Sequence, residues 1–303
     1  LTALARLAEP RFGNKFVAWS VALNVNSEVR EPGMTTKRTC RYVPLSKNPL
    51  VLVLCQVRFS PVRKMGDYIP GIQEAFRRYG FPIERAGKIQ QLTITPAGVH
   101  AVEQERWEYR TRDELWSVTV LQDSVVLQTT AYERFEGFAE KLKTMVKTVL
   151  EQTEQDKLGL IQRVGLRYID LIQPRDGESY RDYLRPGFHG ASDAPFAKGS
   201  HRLYVESVGR TDLGDTPGTM VLRVAQNDQG FDLPPDLIGG APKFQARAKA
   251  GELVTLIDMD HFIEGKFDPS TEWVTERAYA LHDHLIETFH EHVVSAKAIE
   301  VWR

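Results

Sequence analysis

The stretch LIQRVGLRYIDLIQP, residues 160–174, decides the fold, because a near-copy of its pattern stands earlier in the chain. Val57-Arg58-Phe59 matches Leu166-Arg167-Tyr168. Each is an apolar, β-prone run with one arginine between two large apolar side chains, and each is followed by a proline and a helix-like segment. Two first strands of a duplicated unit are the reading.

Working outward from these strands gives the same order twice. Residues 50–60 alternate, with Val53, Cys55, Val57 and Phe59 on one face and Gln56 and Arg58 on the other. Ile69, Ile72, Phe76 and Tyr79 then recur at helical spacing, and Gly80 and Pro82 supply a stop. Strands are predicted over 89–95, 103–111, 115–121 and 124–132, and a helix over 135–152 carries the stripe Phe135, Phe138, Leu142, Met145, Val146 and Val149. After the strand at 160–172, a short helix is predicted near 180–184, with strands over 202–208, 219–226 and 253–260. A closing helix follows, with Val274, Ala278, Leu281, Leu285, Phe289 and Val293 in one stripe. Residues 228–251, with Leu233-Pro234-Pro235, Gly239-Gly240 and Pro242, read as an inserted loop rather than core.

The expected fold is α+β: two pseudo-repeats of β-α-β-β-(β)-α forming a curved antiparallel sheet with long helices on one face. Residues 34–157 form the first repeat and 158–303 the second. The layout is similar to the saddle of the TATA-box-binding protein, an analogy of arrangement that carries no function. Residues 1–33 lack sustained periodicity and precede Met34, so they read as an untranslated leader or a disordered arm.

Composition bounds the function. In 303 residues, 39 Lys and Arg against 40 Asp and Glu leave a formal charge of -1, so no global field draws the chain to nucleic acid or an anionic membrane. Cys40 and Cys55 make neither a disulfide framework nor a zinc set, which points to a reducing cytoplasm. The apolar run 16–25 is too short to span a bilayer. There is no Gly-x-Ser-x-Gly elbow, dinucleotide fingerprint or P-loop, and no cofactor is expected.

Asn48-Pro49-Leu50, residues 163–170 (RVGLRYID), residues 256–260 (LIDMD) and Leu281-His282-Asp283 together resemble a sporadically distributed family of uncharacterised bacterial proteins. The resemblance extends over nearly the whole chain from Met34. It implies an accessory or mobile-element role rather than core metabolism, and it carries no catalyst.

Three constellations carry chemistry. Asp258 and Asp260 share a strand face with His261 close by, a weak Mg²⁺ candidate whose commoner counterpart is ion pairing with arginines. His282, His284, His290 and His292 crowd one helix without converging, which favours a solvated face over a metal cluster. Trp107, Tyr109 and Trp116 beside Arg106, Arg110 and Arg112 mix aromatics and cations as single-strand platforms do, although alternation makes the aromatics core. Lys37, Arg38, Arg41 and Lys47 form a basic arm, and Lys243, Arg247 and Lys249 a basic cluster in the inserted loop.

The expected function is therefore a non-enzymatic binding or accessory protein whose partner-binding residues are Arg58, Arg163, Arg167, Asp258 and Asp260. The partner is an unidentified protein or an anionic ligand. The alternatives are a metal-dependent phosphoryl-transfer or hydrolytic enzyme centred on Asp258, Asp260 and His261, and a nucleic-acid-binding saddle. Alternation sends Arg58, Arg167, Asp258 and Asp260 to one face, so Arg167 is expected to pair with Asp258 while Arg58 stays free or is held by Glu103 or Glu105.

Overall fold

A computed structural model describes residues 42, 44–95, 98–175, 177–189, 204–227, 233, 234, 237, 242–244 and 254–303, with the backbone alone over 89–102. Residues 1–33, the basic side chains Lys37, Arg38 and Arg41, and most of 228–251 with Arg247 and Lys249 lie outside the described residues.

Among the described residues nine strands form one antiparallel sheet in the order β2-β3-β4-β5-β1-β6-β9-β8-β7. The two strands with the apolar-arginine-apolar pattern, β1 (Leu50–Phe59) and β6 (Ile161–Ile172), lie side by side at its centre. Short turns run the chain as a meander through β2 (Ile83–Thr95), β3 (Gly98–Arg110), β4 (Trp116–Val120) and β5 (Ser124–Thr129), and β5 returns to pair with β1. On the other side β7 (Tyr204–Asp212), β8 (Pro217–Asn227) and β9 (Val254–Phe267) form a three-strand meander, and β9 pairs with β6.

The main core lies between one face of this sheet and the helices. Val53, Cys55, Val57 and Phe59 of β1 and Val164, Leu166 and Tyr168 of β6 face it, as alternation requires. Three helices close it. These are α1 (Met65–Arg78), α2 (Phe135–Gln152) and α5 (Thr271–Thr288), and every residue of the α2 stripe is buried. Ser270 starts α5 by accepting a hydrogen bond from the Trp273 amide. The short helices α3 (Gln155–Leu158) and α4 (Tyr180–Tyr183) link elements, the latter through a capping box of Ser179 and Asp182.

Four expectations need correction. Tyr79 lies just past the end of α1 and is exposed, because the helix stops before it can rejoin the stripe. β9 does not end at Asp260 but continues to Phe267, pairing along β6 as far as Ile161. The closing helix gives way to a π-helical turn, Phe289–Val293, and α6 (Ala296–Trp302) then begins under the Ser295 cap. Phe289 and Val293 are still buried, so the wider turn keeps both on the core side.

The last correction concerns the inserted loop. Leu233, Leu237 and Phe244 pack on Leu52, Leu54 and Ile169, a second apolar cluster on the sheet face opposite the helices. Lys243 fixes the segment to the first half of the chain: its amide donates to the Glu114 carbonyl (2.9 Å), and its carbonyl accepts from the Thr130 hydroxyl (2.7 Å). These residues are partly core after all, because β1 and β6 are apolar on both faces at this end.

Candidate functional site

The helix-free face changes character along β1 and β6. Cross-strand partners run from Leu54 and Arg167, through Gln56 and Gly165, to Arg58 and Arg163. The apolar end lies under the inserted segment, and the polar end forms the seam where the predicted site residues collect.

Arg167 makes a two-pronged contact with Asp258: Nε donates to Oδ1 and Nη2 to Oδ2, each at 2.7 Å. Side-chain exposure is 9% for the arginine and 3% for the acid, so the pair is shielded and fixed in geometry. Arg223 adds a third charge, donating to Asp258 Oδ2 at 3.2 Å and to Glu206 Oε2 at 2.7 Å. A row of alternating charge thus crosses β6, β9, β8 and β7. It is self-compensating.

Arg163 lies two alternations along β6, donating to Asp260 at 3.2 Å, with Glu264 at 3.9 Å. Its guanidinium lies over the Phe262 ring, 4.0 Å from the centroid. Gly165 makes that stack fit, because a Cβ there would come within 3.2 Å of the guanidinium and 3.3 Å of Phe262 Cβ. Burial pushes the Asp260 carboxyl up, against the opposing pull of Arg163 and Arg167.

Arg58 differs from both. Its nearest acid is Asp123 at 3.9 Å, with the arginine side chain 41% exposed, and neither Glu103 nor Glu105 holds it. Glu103 instead accepts from Lys88 at 3.0 Å. Arg58 stands directly across from Arg163, so two like charges face each other at the seam. Arg163 Nε there is buried without a hydrogen-bond partner.

His261 does not join the aspartates. It points to the opposite face, where Nε2 meets the Thr211 hydroxyl at 2.7 Å and Nδ1 faces the Leu281 carbonyl at 3.3 Å, and burial pulls its pKa down to about 4. The weak metal candidate is therefore split between two faces, with both aspartates occupied by arginines. Among the described residues no group of three or more His, Cys, Asp and Glu could hold a metal ion. Of the four histidines expected on a solvated face, His282 is instead buried and bonded through Nδ1 to the Tyr168 hydroxyl at 2.7 Å.

The aromatic and cationic mixture of β3 is likewise divided between faces. Tyr109 is core, with Trp107 and Trp116 packed against it, while Arg106 and Arg110 both bond Glu108 on the other face. Cys55 is fully buried and desolvation pushes its thiol up to about 12, which suppresses the nucleophilic thiolate.

Sequence reasoning missed Arg223, Phe262 and Asp123. Arg223 was accessible, since Leu222-Arg223-Val224 repeats the apolar-arginine-apolar pattern that singled out Arg58 and Arg167. Phe262 shares the Asp258 and Asp260 alternation. Asp123 carried no such signal, because it sits in the turn between β4 and β5.

Comparison of the chain with protein-family models, with curated proteins and with solved structures returns no match. Among the described residues, no helix is long and apolar enough to cross a membrane.

Proposed function

We propose that this chain is a non-enzymatic binding protein that holds an anionic group of its partner, a carboxylate or a phosphate, at the seam between β1 and β6. One observation carries the reading: Arg58 and Arg163 are direct cross-strand neighbours, the first only loosely matched by Asp123 and the second with an Nε that makes no hydrogen bond and approaches Glu264 only to 3.9 Å. Bridging oxygens relieve the repulsion and use the spare donors. Arg167, Asp258 and Asp260 are the frame that fixes the arginine positions.

A long polyanion fits less well. On this part of the face Arg58, Arg163, Arg167 and Arg223 are answered by Asp123, Asp258, Asp260, Glu206 and Glu264, so no uncompensated positive field extends along it. The site suits a short acidic group better than a nucleic-acid backbone.

The reading includes the architecture. Two pseudo-repeats in a saddle-like sheet are supported by the central β1 and β6 pair, by the two meanders that return to it, and by the packing of α2 against α5 on one face. The resemblance to the sporadically distributed bacterial family fits an accessory role.

Calorimetric titration with inorganic phosphate and with a glutamate-rich peptide tests the site. Binding of one of them should weaken by about tenfold or more in Arg58→Ala, the loss expected when a hydrogen bond to a charged group is removed. Affinity equal in Arg58→Ala and the parent, or no binding of either probe, overturns the reading.

A further inference from the structure

Strand β7 ends the sheet, and its free edge is chemically self-complementary. Among the described residues β7 is paired on one side only, by β8, so its outer backbone N–H and C=O groups form an unpaired row. Tyr204 and Val208 are 52% and 65% exposed. The strand contains no proline, and its charges are not all of one sign.

The order of those charges selects the occupant. The strand reads Tyr204-Val205-Glu206-Ser207-Val208-Gly209-Arg210-Thr211-Asp212. An antiparallel copy related by a twofold axis at Val208 sets Glu206 opposite Arg210 of the second copy, and Arg210 opposite its Glu206. Val208 meets Val208, and the Tyr204 hydroxyl faces Asp212. All these residues share one face by alternation. On the other face the small Ser207 and Gly209 lie opposite each other. In-register parallel pairing sets glutamate on glutamate and arginine on arginine, which is repulsive.

The charged groups are available for such pairing. Tyr204 and Arg223 both donate to Glu206 Oε2, leaving Oε1 open, and Arg210 has no ion-pair partner among the described residues. We propose that the chain forms a twofold dimer by antiparallel pairing of β7 with β7 of a second copy, joining two sheets into one. This surface is separate from the β1 and β6 seam.

Sedimentation equilibrium of the full chain over a concentration series tests the dimer. The parent chain should show a monomer–dimer equilibrium. Arg210→Glu and Glu206→Arg should each weaken it by about tenfold or more, because each places like charges opposite one another at two symmetric positions. An equimolar mixture of the two variants should restore association, since one copy then carries two acids and the other two arginines. Val208→Lys, at an exposed position, provides an independent block, and a cooperative thermal transition in each variant confirms folding. A parent chain monomeric at every concentration, variants that associate as the parent does, or a mixture that fails to recover overturns the proposal.

Discussion

The two faces of β6 handle buried polar groups in opposite ways. On the helix-free face, Arg163 and Arg167 donate to the carboxylates of Asp260 and Asp258. On the helix-covered face, Tyr168 bonds His282, and Asp170 has no charged partner among the described residues. Burial pushes the Asp170 carboxyl up to about 8 and pulls His282 down to about 4, so both favour their neutral forms. What distinguishes the faces is the cover. Helices dehydrate one face, while a row of neighbouring strands lets the other carry its own counterions.

The largest effect expected from this contrast is at Asp170. Its folded-state pKa lies above the unfolded one, so the folded chain binds more protons between roughly pH 4 and 8, and stability falls as pH rises through that window. Asp170→Asn removes the titration. The stability difference between variant and parent should grow in favour of the variant by on the order of 4 kcal/mol from about pH 5 to pH 8. Urea unfolding at the two pH values measures it, and a difference that does not change with pH places the Asp170 charge in contact with water or a cation.

On the other face, Arg167→Ala should cost about 3 kcal/mol, because among the described residues it leaves a shielded Asp258 with Arg223 as its remaining cation. The first half offers a matched control. Glu108 is held by Arg110 and Arg106 with similar burial, so Arg110→Ala should cost about as much. A loss confined to one half would show that only one charge row is a structural frame.

The histidines bring the opposite sign. His282 has a depressed folded pKa, so its contribution is complete above the unfolded value and is lost as pH falls toward about 4. The parent chain should lose about 2 kcal/mol to this group between roughly pH 6.5 and 5. His282→Gln, which keeps a partner for Tyr168, should abolish that loss, and acid sensitivity that survives the change assigns it to another group.

Alternation explains how much of this was legible in the sequence. Period-two spacing placed Arg58, Arg167, Asp258 and Asp260 on one face, and the pairing of Arg167 with Asp258 followed. Register was not legible. Arg167 lies across from Asp260, not Asp258, and reaches its partner two positions along β9, while Arg163 lies across from Glu264 and reaches four positions along, past Phe262, to Asp260. The docking of Leu233, Leu237 and Phe244 was hidden because proline-rich spacing shows neither helical nor strand periodicity. The inclusion of His261 beside the aspartates came from adjacency in sequence, whereas strand alternation separates neighbours.

The smallest stability effect and the most informative contrast belong to Arg58. It shares a face with Arg167 and the same apolar flanks, yet it is half-exposed and, among the described residues, its only acid is a loose one at 3.9 Å. An exposed pair of that length contributes roughly 0 to 1 kcal/mol, and its removal also relieves repulsion with Arg163. Arg58→Ala should therefore leave the urea midpoint within about 0.5 kcal/mol of the parent. Any loss should appear in binding of the anionic probe instead. Arg163→Ala divides the same question differently, because that arginine both holds Asp260 and stacks on Phe262. It should lower stability as well as binding. If Arg58→Ala destabilises the chain as much as Arg163→Ala does, the two arginines are equivalent parts of one structural frame, and the seam is not a binding site.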